Sequence, residues 1–249
     1  MYEQKLLTTK ATKWIALAGS IISSIENAHE ILSINNVYVD SVFYQYDEWI
    51  PGSEIVISVR EYEGKIKDFK ELLNIDESLA KPILTSRASP NATYYWKTLY
   101  SRVLEIFFNN IVDYLKSKTI ITNSKRTEYM LIVSKRGEGV ILQGDVNKIR
   151  IPRVKAWLMA HTHPSPYSFF SAKDIETTRD LFANQGLLSA VVTSISTCVL
   201  YRCNDMDVSD YENLIIVERK LAKGKIGDAL KVMGKLKNVK LIVKGLPGL

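Results

Sequence analysis

Apolar positions along the chain follow two periods in turn. Trp14, Leu17, Ile21, Ile25, Ala28 and Leu32 lie on one helical stripe, which predicts an amphipathic helix over 12–34. The period then drops to two in Val37-Tyr38-Val39-Asp40-Ser41-Val42-Phe43-Tyr44. A Pro51-Gly52 turn and a second β-rich run, 54–60, complete a hairpin, and a short helix follows at 66–73. Trp96, Leu99, Val103, Ile106, Phe107, Ile111 and Tyr114 make a long apolar stripe, so 90–116 reads as one long helix. A strand at 127–133, a turn at Arg136-Gly137-Glu138-Gly139 and a strand at 140–142 come next. Residues 154–160 form a mostly apolar run of buried-strand type. Ile175, Thr178, Leu181 and Phe182 mark a helix with Ser171 as N-cap and Gly186 as C-cap, followed by strands at 187–194 and 197–202.

This order gives an α/β chain, more strictly α+β, with a central mixed sheet flanked by helices and a smaller N-terminal α+β domain. The stretch Ser86–Asn91 is the expected boundary. The parts are then residues 1–88, a domain at 89–205, and a basic helical and strand extension at 206–249. With 249 residues, 46% of them hydrophobic, the chain can bury one large core or two smaller ones.

Several classes drop out. No apolar run is long enough to span a bilayer. The stretch Trp14–Ile22, with Lys5, Lys10 and Lys13 before it, suits an amphipathic helix better than a signal peptide, so a soluble cytoplasmic protein is expected. Cys198 and Cys203 are too few and too close for a disulfide framework. In such a protein Asn91-Ala92-Thr93 is a helix start rather than a glycosylation site.

Charge is uneven. From Arg219 to Leu249 nine Lys/Arg face one Asp, a net +8, leaving −2 on the rest of a chain whose total is +6. Such a tail is either a solvated cationic face or a dock for an acidic protein or nucleic acid. The N-terminal aromatics, Tyr38, Phe43, Tyr44, Tyr46 and Trp49, are read as packing residues ahead of a partner surface.

The chemistry concentrates in Ala160-His161-Thr162-His163-Pro164-Ser165, with Ser171-Ala172-Lys173-Asp174 after it. Two of the chain's three histidines stand here. At the end of a strand, residues i and i+2 share a face, so both rings reach one ion; Thr162 points the other way and Pro164 ends the strand. Residues 165–170 form a loop, and the helix beginning at Ser171 returns Asp174 toward the histidines. Ser-x-x-Asp is also a capping box in its own right. Two imidazoles and a carboxylate suit a catalytic zinc site of one ion, with the fourth position left for water. His29, on the first helix, reads as a surface or half-buried histidine.

His-x-His, seven residues, then Ser-x-x-Asp resembles the JAMM (MPN+) metalloprotease motif, filled here by His161, His163, Ser171 and Asp174. The wording Ala-His-Thr-His-Pro-Ser also resembles the RadC branch of that superfamily. The resemblance covers roughly 90–202 and implies a cytidine-deaminase-like core. It also implies a glutamate on an early strand after a long helix, acting as general acid/base. Glu128 takes that place; Glu138 in the turn and Asp145 past the second strand are the other acids before the histidines. The implied reaction is attack of a zinc-bound water on an amide or isopeptide bond at the C-terminus of a ubiquitin-like protein. In it Glu128 moves the proton and Ser171 supports the oxyanion. The segment between Glu128 and His161 is short for the family, so insertions that cover substrate in ubiquitin-cleaving members are missing. A RadC-like DNA-associated protein and a non-catalytic MPN scaffold are the alternatives.

Overall fold

The computed structural model describes residues 4–61, 63–146, 155–164 and 169–245. The chain is mixed α/β, with eight helices and two mixed sheets among the described residues. Its strands are β1 (Gln4–Leu6), β2 (Val37–Asp40), β3 (Glu54–Val59), β4 (Lys81–Thr85), β5 (Ala92–Tyr95), β6 (Thr127–Ser134), β7 (Gly139–Val146), β8 (Ala156–Thr162), β9 (Leu188–Val192), β10 (Thr197–Arg202) and β11 (Val239–Lys244). Its helices are α1 (Lys10–Leu32), α2 (Ser41–Tyr44), α3 (Glu63–Leu72), α4 (Thr98–Asn110), α5 (Val112–Lys125), α6 (Ala172–Ala183), α7 (Val208–Ala222) and α8 (Ile226–Met233).

The large sheet runs β1-β7-β6-β8-β9-β10-β11, parallel only between β8 and β9. The small sheet runs β4-β3-β2-β5, parallel only between β3 and β4. Elements from both ends of the chain complete these layers. β1 pairs β7, β5 closes the small sheet, and β11 forms an edge beside β10.

Alternation along the central strands sorts the core. Leu131, Val133, Leu158 and Ala160 pack toward α1, α4 and α5, whereas Met130, Ile132 and Met159 pack toward α6, α7 and α8. All seven residues of β8 are buried, as expected for a central strand covered on both faces.

α1 is buried almost all round rather than amphipathic. Residues Trp14 to Ile22 are all buried, because β6 and β8 of the large sheet and the helices α4 and α3 all pack against α1. Trp14 stacks on Phe43 with ring centroids 4.9 Å apart. A bulge in the β6–β8 pairing, where Val133 faces Leu158 and Ser134 faces Ala156, skips Trp157. Its ring turns to the α1 side, where only a glycine fits: a Cβ on Gly19 would lie 2.4 Å from it. The buried Arg202, at the end of β10, pairs with Glu26 of α1, and the Tyr100 hydroxyl donates to the same carboxylate oxygen.

Three further expectations need correction. The helix read over 90–116 begins later and is broken: Ala92–Tyr95 is a strand, so Asn91-Ala92-Thr93 starts no helix, and Ile111 separates α4 from α5. The strand read to Tyr44 stops at Asp40, whose carboxylate accepts from Val42 N–H and turns the chain into α2. At the end of α6 the left-handed residue is Gln185 (φ 61°), not Gly186. Gly186 instead donates to Leu181 O at 2.8 Å, and a Cβ there would strike the Leu181 side chain. Residue 154 and the loop residues 165–168 lie outside the described residues. No helix among the described residues is long and apolar enough to cross a membrane.

Candidate metal centre

β8 ends where the chemistry begins. His161 is its penultimate residue, and His163 follows the strand end, held by its N–H donating to Val192 O at 3.0 Å. Thr162 points to the opposite face, as alternation requires. Its hydroxyl oxygen accepts from Tyr129 N–H at 2.9 Å and lies 2.7 Å from Thr122 Oγ1 on α5. Thr162 therefore ties β8 to both β6 and α5, a positioning role that its place in the sequence does not signal. Arg126, in the left-handed conformation after α5, donates to Pro164 O at 3.3 Å.

The first turn of α6 supplies the third donor. Ser171 Oγ accepts from Asp174 N–H at 3.2 Å, while Ser171 N–H donates to Asp174 Oδ2 at 2.7 Å, a reciprocal capping box. The same carboxylate meets both rings: Asp174 Oδ1 lies 3.2 Å from His161 Nε2, and Oδ2 lies 3.4 Å from His163 Nε2. The capping reading and the ligand reading of Asp174 thus coexist, because the cap uses the carboxylate edge that also faces His163.

The two Nε2 atoms are 3.1 Å apart. One ligand atom from each of His161, His163 and Asp174 lies within 4.8 Å of the others, so the three could hold a metal ion. Around a tetrahedral ion with bonds of ~2.0–2.1 Å, neighbouring donors stand ~3.3–3.4 Å apart. The spacings of 3.1, 3.2 and 3.4 Å match that scale. Nitrogen and carboxylate donors fit zinc and other first-row divalent ions alike, so the donor set does not choose among them.

Glu128 belongs to the same neighbourhood. β6 and β8 pair with Met130 opposite His161, and continuing that register sets Glu128 opposite His163. The β6–β7 pairing is irregular between Thr127 and Tyr129, around Glu128 itself, a common device for re-aiming a side chain beside a site.

The charges are interdependent. Burial raises the Glu128 carboxyl above its ordinary range, the two imidazoles pull it down, and Asp174 pushes it up again. Burial would lower His161, but the Asp174 and Glu128 carboxylates outweigh it and the net shift is upward. Burial works against the Asp174 carboxylate too, yet His161 and His163 hold it well below the usual carboxylate range. The structure thus brings Glu128, His161, His163, Ser171 and Asp174 into one neighbourhood. His29 is exposed on α1 and outside it, and Cys198 is a buried thiol that burial pushes up to about 12.

No family model, no curated protein and no solved structure gives a significant match to this chain.

Proposed function

We propose that this protein is a zinc-dependent peptidase or isopeptidase of JAMM type, acting on a ubiquitin-like protein or its conjugate in the cytoplasm. In this reading the large sheet with α5 and α6 is the cytidine-deaminase-like core. The observation that carries it is the convergence of His161, His163 and Asp174 from a strand end and a helix start, with Glu128 across the strand pair.

His161, His163 and Asp174 would hold the ion, which when bound lowers the pKa of a water toward ~7 and polarises a carbonyl. The chain's own groups supply the rest. Glu128 is buried enough to raise its carboxyl yet lies within the field of both imidazoles, which suits a group that takes a proton and returns it to a leaving amine. Ser171 Oγ already accepts from Asp174 N–H, so its own proton can be given to a developing oxyanion. Thr162 fixes the strand end on which both imidazoles depend.

The test is Glu128→Gln assayed on a ubiquitin-like fusion. Metal content should match wild type while cleavage falls by ~10²–10⁴-fold. Full activity with metal still bound would remove Glu128 from the reaction.

A further inference from the structure

A second polar site lies at the other end of β8. Trp157 and His161 are four residues apart on that strand, roughly 13 Å at the usual rise. Around Trp157 opens a cavity of about 730 Å³, within the roughly 300–1,000 Å³ typical of small-molecule sites. Its walls come from the serine-rich face of α1, the β6–β7 turn, the start of β8 and the corner after α6.

The lining is polar and positively charged. Among the described residues that line it, Lys135, Arg136 and Lys155 face a single acid, Asp76. Asp76 lies near enough to Arg136 to feel its charge, but none of the three cations makes an ion pair among the described residues. Lys135 Nζ sits 3.1 Å from the centroid of the Trp157 ring. Burial pulls its ammonium down to about 7, and Arg202 and Lys155 push it the same way against Glu26. Like charges gathered in a cavity are costly unless an anion joins them.

The opposite wall is built to present hydrogen bonds. Gln185 holds a left-handed backbone that non-glycine residues seldom adopt. Its side chain accepts from Ser23 Oγ at 2.5 Å and donates to Asn27 Oδ1 at 3.0 Å, locking an amide and hydroxyl wall across from the cations. Trp157 is buried between Lys135 and Gly19, so its ring offers no face for stacking. Recognition therefore falls to charge and hydrogen bonds.

We propose that this cavity binds a small phosphorylated, hydroxyl-bearing molecule, its phosphate among Lys135, Arg136 and Lys155 and its hydroxyls on the Ser23–Gln185–Asn27 wall. The cations would take the phosphate oxygens as charge-assisted bonds, which are stronger than neutral ones. An exposed phosphodiester backbone offers the same group, and the cavity's size favours the small ligand.

Calorimetric titration with inorganic phosphate, ribose 5-phosphate, ribose and a short single-stranded oligonucleotide tests this. Ribose 5-phosphate should bind more tightly than phosphate, and ribose should not bind. Arg136→Gln and Lys155→Gln, both at exposed positions where folding is not at stake, should each weaken binding about tenfold, as expected for one charge-assisted contact. His163→Ala and Lys231→Gln should leave it unchanged, separating this site from the metal centre and the basic tail. Binding of the oligonucleotide alone would overturn the small-ligand assignment. No binding of any phosphate probe, or binding that ignores Arg136→Gln and Lys155→Gln, would overturn the site.

Discussion

His161 Nε2 and His163 Nε2 stand 3.1 Å apart, although one residue lies within a strand and the other beyond its end. That approach is held from outside the pair. Thr162 anchors the strand from the opposite face, Val192 fixes the backbone of His163, and Asp174 meets both rings from α6. Two imidazoles this close cannot both be charged without repulsion, so a shared cation or carboxylate between them is what the arrangement favours.

Asp174→Asn separates the two roles of Asp174. An amide oxygen can still accept from Ser171 N–H, so α6 should keep its cap and the far-ultraviolet circular dichroism should not change. The charge is lost, and metal affinity should fall by more than the ~10–100-fold typical for an outer partner. Titration with zinc reads both; unchanged affinity would mean that Asp174 only caps.

The metal-stripped protein should show a pH signature. His161 is raised above its ordinary 6.5, so between that value and the folded one the native chain holds a proton that the unfolded chain has released. Its contribution is complete below pH 6.5 and is lost as pH climbs through the folded value. Asp174 is depressed, so its contribution is complete above 3.8 and is lost only in strong acid. Denaturant unfolding of chelator-treated wild type and Asp174→Asn should therefore differ most below ~pH 6.5 and above the acid range, with the difference shrinking as pH rises beyond ~6.5. A difference that does not vary with pH would show that the pair is not charged.

Thr162→Val removes the hydroxyl oxygen that accepts from the buried backbone N–H of Tyr129. Unfolding should become easier by about 1–3 kcal/mol, and metal affinity should fall with it as β8 loosens. Thr162→Ser, which keeps the oxygen, should recover most of both.

Gly19→Ala tests the placement of α1 against the sheet. The new methyl would lie 2.4 Å from the Trp157 ring, well inside van der Waals contact. In an exposed helix this change stabilises; here it should cost about 1–3 kcal/mol or more, as an overpacked core does, and thermal unfolding would register it as a lowered Tm.

The sequence exposes those parts of the fold that rest on local pattern. The strand ending at the histidines, the capping box at Ser171 and the strand at 197–202 are all legible because alternation and capping act within a few residues. What it hides depends on distant partners. Gln4–Leu6 becomes a strand only because β7 offers an edge, and Ala92–Tyr95, read as the start of a helix, instead closes the small sheet on β2. Lys10–Leu32 shows a stripe, yet α4 and α3 pack on it as well as the large sheet. Val239–Lys244 ends a charged tail but completes the large sheet beside β10. The closeness of His161, His163 and Asp174, which could hold a metal ion, is readable from spacing; the hydroxyl of Thr162, the bulge at Trp157 and the cavity at the far end of β8 are not, because each is made by residues far apart in the chain.

The most direct test of the metal centre is metal content per chain by elemental analysis, for wild type and His163→Ala purified without added metal. About one zinc per wild-type chain and little in the variant is the expected result. No metal in either protein, even after reconstitution with zinc, would mean that His161, His163 and Asp174 do not act together as a site, and the hydrolase reading would fall with it.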